Sequence, residues 1–120
     1  MTEPSEALDD VVHQRIRLGI LTICHEAQRV EFSFLQESLG LTAGNLSRHL
    51  QVLEEANLVQ VDKTFEARRP KTWISITKAG SVSLEREVDA LRQIVDRVEA
   101  ASALRKTRGR RATVPKPAIP

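Results

Sequence analysis

A run of short polar side chains and one arginine, set along a helical segment, has the chemistry needed to hydrogen-bond to nucleic-acid bases. Leu46, Leu50 and Leu53 recur at helical spacing and form one narrow apolar stripe, which leaves the polar residues on the outer side. The major groove admits one helix, arginine pairs bidentately with guanine, and a helix N-terminus favours phosphate. A glycine there would let the backbone come close to a phosphate. The candidate contact residues are Thr42, Gly44, Asn45, Ser47, Arg48 and Gln51.

A second group of candidates consists of cations near the tip of a predicted hairpin. These side chains could grip phosphates or enter a narrow minor groove. The alternative is a solubilising loop, because Asp62 and Glu66 dilute the positive charge. Two adjacent arginines directly before Pro70 favour nucleic-acid contact. The cationic candidates are Lys63, Arg68, Arg69 and Lys71.

The elements that must position these groups begin with two predicted helices and a short strand. Helical spacing of apolar residues predicts a first helix over residues 10–27, with Asp9 or Asp10 as its N-cap. Alternation predicts a short strand at 29–32. Ser33 is the expected N-cap of a second helix over 34–39.

The candidate contact helix is predicted over residues 43–56, with Thr42 as its N-cap and Gly40 ending the helix before it. Two strands are predicted after it, at 58–63 and 72–75. Their short connection makes them antiparallel. Pro70 suits the loop or a strand start because it has no N–H.

The last helix, which Thr77 can cap, is predicted to end near residue 104. Its apolar residues step by four, three, four and three, which is a heptad seam. Burying such a seam in a chain of 120 residues favours a partner copy, although the helix could also fold back on the first helix. The expected dimer interface comprises Val12, Ile16, Leu84, Val88, Leu91, Val95 and Val98.

The net charge of +2 is unevenly distributed. Six of the 18 basic residues follow Leu104, so the rest of the chain has 12 basic against 16 acidic residues. The sequence therefore divides into a flexible leader (1–9), one folded domain (10–104) and a basic tail (105–120) with little to bury, which we expect to be disordered. Nucleic-acid binding must be argued from where the charges lie, since the overall balance reflects the tail.

Other function classes find little support. No apolar run is long enough to span a membrane and no secretory signal opens the chain, which favours the cytoplasm. Cys24 is the single cysteine, and the three histidines have no metal-ligand spacing. No glycine-rich phosphate loop or nucleophile motif indicates catalysis. We expect no enzymatic activity, no metal and no cofactor.

Three stretches resemble a known family: RLGILTIC, FSFLQESLGLTAGNLSRHLQVLEEANLV and RRPKTWISITKAG. Over residues 15–91 the chain is similar to bacterial winged-helix DNA-binding regulators that are MarR-like and related to ArsR. The resemblance implies a mainly α fold with a small β-hairpin (α+β), namely a winged helix-turn-helix with a long C-terminal dimerisation helix. The cysteine-pair metal motif of ArsR-type sensors is absent from this sequence.

The resemblance also implies a homodimeric transcription factor that binds double-stranded DNA, with a palindromic operator as the expected target. Two alternatives stay open at this point. One is a winged-helix module that binds a protein partner. The other is a ligand- or redox-responsive regulator with a pocket where the first and last helices meet. Whether a small-molecule effector exists is unknown, and Cys24 is more often a buried apolar residue than a redox switch.

Overall fold

The computed structural model describes residues 3–113, with side chains described as far as residue 109. Four α-helices surround a three-stranded antiparallel sheet with strand order β1-β3-β2. The mainly α winged-helix fold with a small sheet and a long C-terminal helix is confirmed. In chain order the elements are α1 (Arg15–Ala27), β1 (Arg29–Glu31), α2 (Phe32–Leu39), α3 (Ala43–Glu55), β2 (Val59–Glu66), β3 (Arg69–Ile76) and α4 (Lys78–Thr113), preceded by a 3-10 helix at Pro4–Ala7.

The core fills the space between α1, α2, α3 and the inner half of the sheet. The leucine stripe predicted on α3 is buried there, which confirms which side of that helix faces inward. Each buried leucine or isoleucine contributes roughly 2 kcal/mol through removal of apolar surface from water. The buried residues contributed by the other elements include Ile20, Leu21, Cys24, Leu35, Val59 and Ile74.

The β2–β3 hairpin is longer than predicted. Pairing continues outward to Glu66 and Arg69, so only Ala67 and Arg68 form the turn. Pro70 is the second residue of β3, opposite Phe65, so of the two predicted places the strand start is the right one. A proline is tolerated there because β1 covers β3 only from Trp73 to Ser75, which leaves one edge of β3 free near the tip.

The start of α1 corrects the sequence prediction. The helix begins at Arg15, not at residue 10, and Gln14 caps it by accepting a hydrogen bond from the Arg17 N–H at 2.8 Å. Asp9 uses its carboxylate locally, accepting from the backbone N–H groups of Val11 and Val12. This turn redirects the chain before the helix starts. The segment expected to be a flexible leader contains the 3-10 helix, which packs on α4.

The predicted caps have mixed outcomes. Thr42 accepts from the Asn45 N–H at 3.1 Å, and Thr77 accepts from the Gly80 N–H at 2.9 Å, as predicted. The prediction for Ser33 was wrong, because α2 starts at Phe32, two residues earlier than predicted, and Ser33 donates its hydroxyl to Glu31 instead. Gly40 ends α2 in the left-handed conformation, with φ +63°.

α4 is longer than predicted and extends to Thr113 rather than ending near residue 104. Leucine, arginine, lysine and alanine dominate residues 103–112, and all are strong helix formers. The prediction of a disordered tail is therefore corrected for residues 105–113, and 114–120 lie outside the described residues. Within residues 3–113, no helix is both long and apolar enough to cross a membrane.

Close packing fixes how α4 leaves the sheet. A Cβ added at Gly80 would lie 2.1 Å from the Leu58 carbonyl oxygen and 2.8 Å from Ile76. The backbone of α4 can approach the base of the hairpin this closely only with glycine. The first turn of α4 is thereby seated on the hairpin that carries the cationic candidates.

Candidate nucleic-acid interface

The outer side of α3 presents every polar residue that the sequence singled out on this helix. Thr42, Gly44, Asn45, Ser47, Arg48 and Gln51 are all exposed, whereas the leucine stripe is buried beneath them. A Cβ at Gly44 would meet no atom within 4 Å, so its surroundings are open. The Thr42 hydroxyl accepts the hydrogen bond that caps α3, and Gln51 donates to Glu55 at 3.3 Å. Among the described residues, Arg48 has no ion-pair or hydrogen-bond partner, so its guanidinium is available to a ligand.

His49, next to Arg48, holds α3 against the chain that precedes α1. The Arg17 guanidinium lies 3.2 Å from His49 Nδ1 and donates to the carbonyl oxygens of Val11 at 2.6 Å and Asp10 at 3.3 Å. A guanidinium can only donate, so Nδ1 is the accepting nitrogen of a neutral ring. Burial, followed by the charges of Arg17 and Arg48, lowers the pKa of His49. His49 is thus a positioning residue for the helix that carries Arg48.

The turn of the hairpin places an arginine at its apex in a costly conformation. Ala67 and Arg68 both have positive φ, 50° and 65°, which is the pattern of a type I′ turn. Asparagine and glycine are the usual residues there, because a side chain with a Cβ costs about 1–2 kcal/mol in the left-handed region. The strand pairing up to Glu66 and Arg69 imposes this two-residue turn in spite of its cost and places Arg68 at the tip.

The cationic candidates of the hairpin differ in availability. Lys63, Arg68 and Arg69 are exposed and have no ion pair with any described residue. Lys71 is half-buried, and its Nζ lies 3.2 Å from Glu31 Oε1, which ties β3 to the start of α2. Lys71 therefore fastens the outer half of the hairpin to the start of α2, and the other three cations have no ion pair with any described residue.

The acidic residues of the hairpin are engaged on its far side. Glu66 accepts from the Thr64 hydroxyl at 2.7 Å and from the Trp73 indole N–H at 2.8 Å, and these hydrogen bonds lower its pKa. The Arg29 guanidinium lies over the Trp73 ring, 4.0 Å from its centre. This stack braces the hairpin from the side opposite α3 and keeps the Glu66 carboxylate in place.

The contact helix and the hairpin share a groove of about 330 Å³. Ser47, Leu50 and Gln51 line it from α3, and Val61, Lys63 and Thr72 line it from the sheet. Residues alternate between faces along a strand, so Phe65 lies on the same face of β2 as Val61 and Lys63. Phe65 is 72% exposed. Phe65 was not among the residues predicted from the sequence, although the alternation that begins at Val59 could have placed it there.

The structure separates the seven residues expected at a dimer interface into two groups. Val12 and Leu84 are buried in the core of the single chain, and Ile16 packs against that core, so we leave these three out of the proposed interface. Val88, Val95 and Val98 are 41%, 50% and 59% exposed on α4, and Leu91 between them is half-buried. The outer part of the heptad seam is therefore uncovered in one chain.

Neither a metal centre nor a reactive thiol is found in the described part of the chain. Within residues 3–109, no three His, Cys, Asp or Glu side chains are placed so as to hold a metal ion. Cys24 is buried, and burial raises its pKa to about 12. Oxidation and ligation proceed through the thiolate, so this cysteine behaves as a small apolar core residue.

Comparison with known proteins agrees with this geometry. Residues 16–95 match the family described as winged helix DNA-binding domain. An uncharacterised protein of Methanocaldococcus jannaschii is 36% identical over 84 residues, which cover 70% of this chain and 91% of that protein.

Solved structures give the same result. A transcriptional regulator homologue from Pyrococcus horikoshii OT3 superposes with a TM-score of 0.75 at 33% identity, covering 82% of this chain and 98% of that one. The YusO protein of Bacillus subtilis shares the fold, with a TM-score of 0.70 at 18% identity over 93% of this chain and 84% of its own. The match over residues 16–95, the sequence relative and the shared fold show that this chain belongs to the winged helix DNA-binding domain family.

Proposed function

We propose that this chain is a sequence-specific, double-stranded DNA-binding transcriptional regulator that acts as a homodimer. The observation that carries the proposal is the groove in which Ser47 and Gln51 of α3, the helix that also exposes Arg48, lie opposite Lys63 of the hairpin. In this arrangement α3 enters the major groove and the hairpin reaches the flanking backbone or minor groove. Family membership supports DNA as the ligand.

Roles follow from the chemistry of each contact residue. Arg48 is the proposed base reader, because a free guanidinium can pair with guanine N7 and O6. Asn45, Ser47 and Gln51 flank it on the exposed side of α3 and supply further hydrogen bonds to base edges or phosphate. Gly44 and the Thr42-capped N-terminus lie where the backbone can approach a phosphate.

The hairpin supplies affinity that does not depend on sequence. Lys63, Arg68 and Arg69 neutralise phosphates and release counterions, so each contact should contribute about one unit to the salt slope. Lys71 contributes to the same field while it is paired with Glu31.

Homodimerisation is proposed through the outer seam of α4. The helix has 36 residues, a length of about 54 Å, and it continues well beyond the core against which its first turns pack. Val88, Leu91, Val95 and Val98 lie along one side of it at heptad spacing. A two-fold axis there would set two copies of α3 about 34 Å apart, on successive major grooves of a palindrome.

Binding-site selection tests the proposal. The full chain is offered a library of random duplexes at two salt concentrations, and the retained duplexes are sequenced. We expect one enriched palindromic motif at both salt concentrations. Retention without an enriched motif would refute sequence specificity, and failure to retain any duplex would favour a module that binds protein.

A further inference from the structure

Phe65 is the most exposed large hydrophobic side chain among residues 3–109, at 72%. It lies two residues before the turn of the hairpin, directly across from Pro70. The pair forms an apolar tip on an element that is otherwise rich in charge. An exposed phenylalanine has most of its apolar surface available for burial against a partner.

The face on which Phe65 lies indicates the partner. Val59, Val61, Lys63 and Phe65 follow one another on one face of β2, and the inner two pack towards the core and α3. Phe65 continues that row outward, so it lies on the face of the sheet that is opposite Ser47 and Gln51 of α3 across the groove. A ligand that lies along α3 and the hairpin would therefore meet Phe65.

The charges around Phe65 narrow the chemistry of that ligand. Lys63 precedes it on the same face and Arg68 lies in the turn just beyond it, whereas Arg69 stands across from Glu66 on the opposite face of the hairpin. All three are exposed and unpaired within the described chain. An apolar side chain next to free cations complements a groove whose walls are anionic phosphates and whose base steps have apolar ring faces, as in a DNA minor groove.

The hairpin is also rigid enough to hold the Phe65 side chain in a fixed position against a ligand. Eight paired positions, from Val59–Ile76 to Glu66–Arg69, lead to a two-residue turn. On the opposite face, Trp73 is held by the Glu66 carboxylate and by Arg29. Proline at position 70 fixes the backbone opposite Phe65.

We propose that Phe65, backed by Pro70, is an apolar wedge that enters the minor groove, partly unstacks one base step and bends the duplex. This inference rests on the proposed function. Phenylalanine and proline are among the side chains that proteins insert between base steps, and the cost of a few kcal/mol for unstacking is offset by the wider contact that a bend allows. Pyrimidine–purine steps are the easiest to unstack, so the wedge selects TA or CA/TG at a position that Arg48 does not read.

The test uses a duplex selected by the wild-type chain, with a fluorophore at each end to report the bend by energy transfer. A second copy of the duplex has 2-aminopurine at the flexible step to report unstacking. We expect wild-type protein to bring the ends closer and to increase 2-aminopurine emission. Phe65→Ala should abolish both signals and weaken binding by about tenfold, the loss expected when one base no longer stacks on an aromatic side chain.

Two matched variants separate the wedge from other effects. Phe34→Ala removes another exposed phenylalanine, on α2, and should leave the bend and affinity unchanged. Arg68→Ala should lower the salt slope by about one unit, whereas Phe65→Ala should leave the slope as it is. Thermal unfolding checks that each variant is folded.

An unbent duplex with wild-type protein, or an equal bend and affinity with Phe65→Ala, would overturn the wedge while leaving the proposed function intact. If the wild-type chain selects no duplex at all, the proposed function itself fails and the wedge fails with it.

Discussion

Glu87, buried in α4 with 1% of its surface exposed, lies 2.6 Å from the ring Nδ1 of His13, 74 residues earlier in the chain. The same carboxylate accepts from the Asp9 backbone N–H at 3.1 Å. The turn before α1 is thus anchored to the C-terminal helix. Arg17 holds the same turn from the other side and contacts His49 of α3. The contact helix and α4 are therefore joined through one short segment.

We expect His13→Ala to lower the free energy of unfolding by about 2 kcal/mol and Glu87→Gln by about 1 kcal/mol. The alanine variant leaves a buried carboxylate without its main partner, whereas glutamine can still accept from the Asp9 N–H through its oxygen and donate to the His13 ring through its nitrogen. Urea unfolding measures both changes. His25→Ala, at an exposed position on α1, is the control and should change stability by less than about 0.5 kcal/mol. Equal costs for the two variants would contradict this account of the pair.

Gly44 and Gly80 should respond in opposite ways to alanine. Gly80→Ala should destabilise the protein by about 1–3 kcal/mol, because the new Cβ would clash with the Leu58 carbonyl. Gly44→Ala should stabilise the fold by up to about 1 kcal/mol through helix propensity while weakening DNA binding, because the methyl group keeps phosphate away. Thermal unfolding and a binding titration give both readouts. Unchanged DNA affinity in Gly44→Ala would remove the proposed close approach.

Replacing Arg68 in the turn of the hairpin by glycine should raise the stability of the protein and weaken its binding to DNA. Arg68→Gly relieves the positive φ and should stabilise the protein by about 0.5–1 kcal/mol. It also removes a phosphate contact, so the salt slope of DNA binding should fall by about one unit. Arg69→Gly, at a strand position, should give the same change in slope without the gain in stability. A stability gain in both variants would show that the turn is not the source of strain.

The burial of Cys24 predicts a specific dependence of stability on pH. Burial raises the pKa of this thiol from 9.0 to about 12, and unfolding would return it to its ordinary value. The folded state therefore binds the proton more tightly. The contribution of Cys24 is complete below pH 9 and is lost between pH 9 and 12, at about 1.4 kcal/mol per pH unit.

Urea titrations at pH 8 and pH 10 check this dependence. Wild-type protein should lose more stability over that interval than Cys24→Ala, which has no thiol to ionise. The chain has no tyrosine, so no phenol complicates the comparison. Parallel losses in the two proteins would contradict the assigned burial. A thiol reagent at neutral pH should likewise modify Cys24 only after unfolding.

Dimerisation through α4 predicts that charge on the seam separates the two copies. Val95→Glu, at a half-exposed seam position, should shift the chain from dimer to monomer in sedimentation at micromolar concentration. Arg86→Glu lies on the opposite side of α4 and is the control, which should stay dimeric. A wild-type chain that is already monomeric at that concentration would refute the interface.

Much of the fold could be predicted because the spacing of apolar residues along the sequence determines where the helices lie and which side of each is buried. The stripe of Leu46, Leu50 and Leu53 fixed which side of α3 is buried, and Thr42 and Thr77 act as the predicted caps. These features depend on residues three or four positions apart. The outer side of α3 could be named in advance for the same reason.

The remaining features depend on partners that are distant in sequence or on competition between local structures. Asp9 has the side chain of a helix cap, but its carboxylate closes a turn instead, and α1 starts at Arg15, six residues after Asp9. In the sequence, Glu87 is one polar residue within a heptad pattern. Its contact with His13, 74 residues away, exists only in the folded chain and could not be predicted. The strands of the hairpin were predicted too short because proline, here Pro70, is disfavoured inside a strand. The exposure of Phe65 near the tip could therefore not be predicted.

The most direct test of DNA reading by α3 is the specificity ratio of Arg48→Ala. The Kd for the selected duplex and for a shuffled duplex of the same composition is measured at one salt concentration, with Arg86→Ala as the charge-matched control. We expect Arg48→Ala to lower the ratio of the two affinities by about 10-fold or more, because a bidentate pair with guanine contributes about 1–3 kcal/mol of discrimination. Arg86→Ala should leave that ratio unchanged. An equal loss of affinity for both duplexes in Arg48→Ala, with the ratio preserved, would contradict base reading by α3.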